Sequence, residues 1–334
     1  MLLHLMGSAS DGGAETYFLH LAEAFRQAGI PQAVALRAHA GRERALAAMG
    51  IPYTVLPFRR IDLTTRLRVG AYARRMGART LLAWMSRSAA NMPGGDWKRI
   101  GRLGGYYAMR FFRGCDLLVA NTPDIRDYIL RHGWAPERVQ YIANFAEADS
   151  LPALPRAALD TPEGVPLLLS MGRLHREKGH DVTLRALAQL PEAVLWLAGS
   201  GPEEAALRAL ARELGVADRV RFLGWREDAG ALYRAADLVV FPSREEPLGN
   251  VVIQAWVHGV PVISSRAIGP AHLIRDGEDG LLVPIEDNEA LAAGIRRLLG
   301  DAALRAGLRQ AGARRAPEFD RDTVVARWRE ILDL

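Results

Sequence analysis

The chain has 334 residues, 49% of them hydrophobic, and a formal net charge of +5. That length suits about two domains with substantial cores. The absence of any run of about 18 apolar residues argues against a membrane span, and a lone Cys115 excludes an internal disulfide.

Taken in order, the N-terminal Met1 to Gly7 reads as a first strand, too short and uncharged for a signal peptide. Apolar runs follow at 33–36, 53–56, 80–84, 117–120 and 139–142, with helical patterns at 14–28, 43–49, 63–76, 100–112 and 125–132 between them. Strands alternating with helices predict a parallel sheet covered on both faces. A stretch rich in Pro, Ala and acids at 146–166 predicts a boundary. The pattern then restarts, with strands expected at 167–171, 194–198, 220–223, 238–241, 260–264 and 281–283 and a last helix near 320–332. The expected domains are 1–155, with 317–334 packing back on it, and 160–316.

Charge is uneven along this order. Residues 59–113 carry 13 Arg or Lys, Arg60 among them, against only Asp62 and Asp96, so the rest of the chain is acidic. Such asymmetry suggests an anionic partner: phospholipid, a phosphorylated glycolipid or nucleic acid. A solvated arginine-rich face is the plainer alternative. Nucleic acid ranks last, because interleaved aromatics and a recognisable module are missing.

The richest stretch runs from Ser243 to Trp256. An apolar strand at 238–241 leads to Glu245-Glu246-Pro247-Leu248-Gly249-Asn250, and an apolar helix follows. A carboxylate at the carboxyl end of a strand lies where open α/β sheets bind ligands. Amides opening a helix attract an anion. Together they suit a substrate bearing hydroxyls and phosphates, such as a sugar nucleotide. Three glycine-containing loops repeat the strand–loop–helix theme. They are Gly12-Gly13-Ala14-Glu15 after Gly7-Ser8-Ala9-Ser10-Asp11, Gly172-Arg173 through Lys178-Gly179, and Gly199-Ser200-Gly201-Pro202. Glycines there permit a tight turn or a close approach to phosphate. Lys178 is one of only two lysines among 43 basic residues, the other being Lys98, so its place in this loop is informative. Clusters with metal-ligand spacing are absent, and no metal or other cofactor is expected.

In order and spacing these motifs resemble the retaining glycosyltransferases of family 4. The family pattern of Glu, seven residues, Glu is met by Glu246 and, with a departure, by Gln254. The resemblance implies a GT-B fold: two Rossmann-like α/β domains facing a cleft, with the C-terminal helix crossing back to the first. It also implies that Glu246 meets the hydroxyls of the donor sugar and that Gln254 meets the ribose, without a charge. Arg173 and Lys178 would clamp the donor diphosphate. Gly12, Gly13, Gly199, Gly201, Leu248, Gly249 and Asn250 would line the nucleotide site. Ile268-Gly269-Pro270-Ala271-His272 and Met92-Pro93-Gly94-Gly95-Asp96 are similar to segments of lipopolysaccharide core glucosyltransferases. By that likeness Asp96 meets the donor sugar or the acceptor hydroxyl, although a turn aspartate is an equal reading. The histidine that many members carry near the reacting centre is replaced here by Ser86-Arg87-Ser88.

The expected activity is transfer of a hexose, with retention, from a nucleoside-diphosphate sugar to an anionic lipid-linked saccharide. The enzyme is expected to be cytoplasmic and held on the inner face of the inner membrane by the basic 59–113 region, including an amphipathic helix near 63–76. The rivals are a sugar-nucleotide epimerase on the same fold and a non-catalytic nucleotide-binding scaffold, which Gln254 keeps open.

Overall fold

The computed structural model describes residues 1–10, 12–59, 62–147 and 151–333. Asp11, Arg60 and part of the expected linker at 146–166 lie outside them. In chain order the elements are β1 (Leu2–Met6), α1 (Gly13–Gln27), β2 (Gln32–Leu36), α2 (Ala40–Ala48), β3 (Tyr53–Val55), α3 (Leu63–Arg75), β4 (Thr80–Trp84), α4 (Met85–Ala90), β5 (Lys98–Leu103), β6 (Leu117–Ala120), α5 (Pro123–Arg131) and β7 (Val139–Tyr141). They continue as β8 (Leu167–Met171), α6 (His180–Leu187), β9 (Val194–Ala198), α7 (Glu204–Glu213), β10 (Val220–Gly224), α8 (Ala229–Ala235), β11 (Leu238–Phe241), α9 (Asn250–Val257), β12 (Val262–Ser265), α10 (Ile268–Leu273), β13 (Leu281–Val283), α11 (Asn288–Gly300), α12 (Ala302–Arg315) and α13 (Arg321–Leu332).

The chain divides into two units, Met1–Asn144 with Arg321–Leu334, and Phe145–Asp320. Each holds one parallel sheet, ordered β3-β2-β1-β4-β5-β6-β7 in the first and β10-β9-β8-β11-β12-β13 in the second. Both are doubly wound, Rossmann-like sheets. Their order reverses between β1 and β4 and between β8 and β11, and the carboxyl edge at such a point is where ligands bind. The division falls earlier than the composition of 146–166 predicts, because this segment is tied to the second unit. There Arg156 donates to the Ala235 carbonyl at 2.7 Å and pairs with Asp237 at 2.9 Å. Helix α13 joins the first unit, its buried Trp328 packing edge-on against Phe25 of α1 at 5.9 Å.

The inner strands β1, β2, β4, β8, β9, β11 and β12 are largely buried because their sheets are covered on both faces, which favours continuous apolar runs over alternation. Several helices start on short polar caps. Asp62 accepts from the Thr64 amide at 3.0 Å, Thr122 from Ile125 at 3.1 Å and Asp287 from Ala290 at 2.8 Å.

One expectation is overturned. The helix predicted at 100–112 is instead strand β5, followed by a loop and a short turn at Met109–Phe111. Its sequence, Lys-Arg-Ile-Gly-Arg-Leu, hides a central strand behind three cations. Gly101 faces a crowded side, where a Cβ would approach Leu118 and Phe112 at 2.8 Å. Arg102 faces the other side and is buried, its guanidinium lying over the rings of Trp84 at 4.6 Å and Tyr17 at 4.7 Å while it donates to Asn144 Oδ1. Aromatic faces and one amide oxygen thus make an arginine tolerable in a core.

Glycines of the second unit hold its loops together at the carboxyl edge. A Cβ on Gly199 (φ 146°) would meet the Gly172 carbonyl oxygen at 1.9 Å, and one on Gly201 would meet that of Leu174 at 2.3 Å. The same approach lets Leu174 donate to Ser200 at 2.9 Å.

Two predictions follow from this packing. Gly199→Ala should destabilise the second unit by about 3 kcal/mol or more, since backbone rather than a side chain must move; Gly13→Ala, with nothing within 4 Å, should leave the melting temperature unchanged. Equal melting temperatures for the two variants would contradict this. Burial holds the folded His4 pKa down to about 3, against a smaller upward pull from Gln32, and burial likewise holds His180 down to about 4. The unfolded chain therefore binds protons that the folded one refuses between about pH 6.5 and those values, and stability falls as pH falls through that window. At pH 5 each histidine should cost about 2 kcal/mol relative to pH 7. His4→Gln should shrink the acid-induced drop in melting temperature; an undiminished drop would contradict the assignment.

Candidate functional site

In the second unit two loops leave the carboxyl edge at the point where strand order reverses. The loop after β8 runs from Gly172 to Gly179, and the loop after β11 runs from Pro242 to Gly249. They meet in an ion pair: Lys178 Nζ donates to Glu246 Oε2 at 2.5 Å, with both side chains largely covered. The second oxygen, Glu246 Oε1, accepts from the Gly249 amide at 3.1 Å and more weakly from Leu248 at 3.4 Å. The Leu248 and Gly249 amides are thus already turned onto Glu246. The next amides, of Asn250 and Val251, open α9 and have no preceding turn to serve.

Gly249 (φ 84°) supplies the left-handed turn into α9. Asn250 is exposed, and Gln254, one turn later on the same side of α9, is half-buried. Arg173 is exposed beside this edge and makes no ion pair with a described residue. Gly269 donates to the Glu246 carbonyl at 2.7 Å, and a Cβ there would lie 2.7 Å from the same oxygen. The Gly-Pro-Ala-His segment therefore seats the loop that carries Glu246. Trp225, after β10, is 77% exposed at the same edge.

Arg244, which sequence reasoning missed, is the clamp between the two loops. Its guanidinium forks onto both oxygens of Asp181 at 2.8 Å, reaches Glu286 at 2.6 Å and donates to the Arg176 carbonyl at 2.8 Å. Its amide donates to the Glu177 carbonyl at 2.7 Å. Donating to the Asp181 carboxylate raises the Arg244 pKa above its ordinary value. Burial alone would raise the Asp181 carboxyl, but hydrogen bonds and charge from Arg244 hold it lower than usual. In a chain with 41 arginines nothing in the residue type marks this one.

The first unit presents its own loops at the carboxyl edge. Glu15, buried, accepts from Ser8 Oγ at 2.5 Å and from Ser10 Oγ at 3.1 Å. The buried Arg42 donates to the Ser8 and Ser10 carbonyls from the other side. Gly12 and Gly13 are exposed above this frame, at the start of α1. Across the reversal between β1 and β4, Met85 adopts a left-handed conformation (φ 62°) at the start of α4. Ser88 is buried and accepts from the Gly7 amide at 2.8 Å, and Arg87 reaches the Phe58 carbonyl at 3.3 Å, so both serve the loop framework.

Asp96 does not join these loops. It is exposed and lies two residues before β5, and β5 pairs in register with β4 from Thr80↔Lys98 to Trp84↔Arg102. That puts Asp96 at the amino edge of the sheet, a strand's length from Gly12 and Gly13. That agrees with the turn-aspartate reading rather than the one drawn from the likeness. Among the described residues no group of three or more His, Cys, Asp or Glu is arranged to hold a metal ion.

Comparison with known proteins matches residues 155–315 to the glycosyl transferases group 1 family. The chain is 38% identical to the lipopolysaccharide core biosynthesis glycosyltransferase LpsE of Rhizobium meliloti (strain 1021) over 329 residues, covering 96% of each chain. It is 36% identical to LpsD of the same organism over 309 residues, covering 91% of this chain and 90% of that protein. Among solved structures, that of Anabaena Alr3699/HepE in complex with UDP superposes with a TM-score of 0.87 at 24% identity, covering 99% of both chains, and shares the fold. The two doubly wound halves are those of GT-B glycosyltransferases, and the chain belongs to the group 1 glycosyltransferases, related to those of lipopolysaccharide core biosynthesis.

Proposed function

We propose that the protein transfers a hexose, with retention, from a nucleoside-diphosphate sugar to an anionic lipid-linked saccharide of the cell envelope. The observation that carries this reading is the Lys178–Glu246 pair over the strand-order reversal of the second unit. A cation and a carboxylate there, next to a helix start, match the two halves of a sugar nucleotide. Support for a uridine nucleotide comes from the Anabaena neighbour, whose structure contains UDP.

In this reading the donor diphosphate takes Lys178 from Glu246 and also engages Arg173, while the Asn250 and Val251 amides face its oxygens. Glu246, freed of the lysine, accepts from hydroxyls of the sugar. Gln254 hydrogen-bonds the ribose through its neutral amide. The sugar–phosphate C–O bond breaks with its electron pair going to the phosphate, and the fixed cations stabilise that charge as it grows. The acceptor oxygen bonds the same carbon on the face the diphosphate leaves, and its proton passes to the departing phosphate oxygen. No protein nucleophile is needed, which agrees with retention by front-face transfer.

The acceptor sits on the first unit, near Gly12 and Gly13. The basic 59–113 region faces the inner surface of the cytoplasmic membrane. Support comes from α3, where Leu63 and Leu67 are 69% and 65% exposed beside Arg66 and Arg68. Asp96, at the amino edge, has no role in this scheme.

A donor screen tests the proposal. UDP-glucose, UDP-galactose, UDP-GlcNAc and GDP-mannose are supplied separately, and nucleoside-diphosphate release is followed with and without a lipopolysaccharide-core acceptor. Acceptor-stimulated release from one donor is the expected result; nucleotide binding without release under any condition would favour the scaffold reading. Lys178→Ala and Glu246→Gln should each lower kcat by about a hundredfold or more in a protein that still unfolds cooperatively, at a lower melting temperature because the partner charge is left unpaired. Normal turnover by either variant would overturn the site assignment.

A further inference from the structure

The first unit contains a cavity that the donor site does not use, two of whose arginines, Arg110 and Arg113, fall at the end of the basic 59–113 region read above as facing the membrane. Residues 108–113 lead into β6 and 132–138 lead into β7, so the cavity between them lies at the amino ends of these strands, away from the loop of Gly12 and Gly13. Its volume is about 680 Å³, within the range of small-molecule sites. Arg110, Arg113, Arg138 and His132 line it together with Tyr128 and Trp134, and none of its lining residues is acidic.

The cations here are held by rings and carbonyls rather than by carboxylates. Arg138 lies over Trp134 at 4.8 Å and is fixed by donating to the carbonyls of Asp116 at 2.9 Å and Cys115 at 2.7 Å. Arg110 lies over Phe111 at 4.8 Å. The His132 ring stands 4.2 Å from that of Tyr128, with Nδ1 at 2.8 Å from the Tyr128 carbonyl. Among the described residues no carboxylate forms an ion pair with any of the three arginines; Asp116 feels the charge of Arg138 but is itself forked by Arg99. Nearby, at the start of β5, Arg99 by contrast pairs with Asp116 at 2.9 Å. Three guanidiniums converging on a cavity without an acid leave donor forks for an anion, and guanidinium geometry matches phosphate oxygens. The neighbouring rings offer a flat apolar wall for the body that carries the phosphate.

We propose that this cavity is a second anion site, taking a phosphate ester attached to a ring or acyl body. The ester comes either from a soluble sugar phosphate or from a phospholipid headgroup. The site is independent of the donor reading, since it lies in the other unit and needs no nucleotide.

The test uses the full chain and two probes, glucose 6-phosphate in solution and phosphatidylglycerol vesicles set against phosphatidylcholine vesicles. The double variant Arg110→Ala/Arg113→Ala is compared with Arg44→Ala/Arg126→Ala, which removes the same charge from exposed positions outside the cavity. The cavity variant should bind at least one probe about tenfold more weakly than wild type, the control variant remaining within about threefold. Loss confined to glucose 6-phosphate identifies a soluble ester, and loss confined to phosphatidylglycerol identifies a lipid. Equal weakening by both variants, or no binding of either probe by the wild type, overturns the proposal. UDP affinity, followed in parallel, should be unchanged in both variants, so failure of the donor reading would be seen separately.

Discussion

The candidate site depends on one ion pair, Lys178 with Glu246, and on the clamp that makes it possible. Neither group could be left alone where it sits. A largely covered carboxylate or ammonium without a partner is costly, and breaking such a pair by removing one member leaves the other exposed to that cost. The two residues come from loops after different strands, 68 positions apart. Arg244 closes the gap by gripping Asp181 and the carbonyls of Arg176 and Glu177, so that the turn carrying Lys178 and the loop carrying Glu246 move as one piece. A substrate offering phosphate to one partner and hydroxyls to the other can then exchange for the pair without stranding either charge.

Glycine serves the same constraint. Gly199 and Gly201 let the loop after β9 lie against the backbone of the loop after β8, and Gly269 lets α10 approach the backbone of Glu246. The sequence pattern leaves Gly199 and Gly201 open between a tight turn and phosphate binding, and the distances assign both a definite packing role. Gly12 and Gly13 differ. A Cβ on Gly13 meets nothing within 4 Å, so packing does not explain that glycine.

The second unit was legible in the sequence because its strands are continuous runs of Leu, Val and Ile bounded by glycine loops, the pattern a doubly wound parallel sheet requires. Glu246 and the start of α9 stood out because they follow a strand end directly, and Lys178 because it is one of only two lysines in the chain and lies in a glycine-bounded loop. Strand β5 was not legible, because three cations in six residues argue against a central strand unless the partners of Arg102 are known. Those partners, Tyr17 and Trp84, are 85 and 18 residues distant and come from other elements. Asp96 entered the expected site through the likeness of its Met-Pro-Gly-Gly-Asp segment, whereas the register of β5 with β4 puts it at the amino edge. Arg244 was invisible for a compositional reason: its role is read from geometry, not from residue type, in a chain that writes nearly every cation as arginine.

The most direct measurement of the central claim is amide hydrogen exchange of the full chain with and without UDP. The account predicts slowed exchange confined to the second unit, in the loop 172–179 and in 246–252 at the start of α9. Protection absent from both segments, or appearing instead around Gly12 and Gly13 alone, would contradict the placement of the donor nucleotide at the Lys178–Glu246 pair.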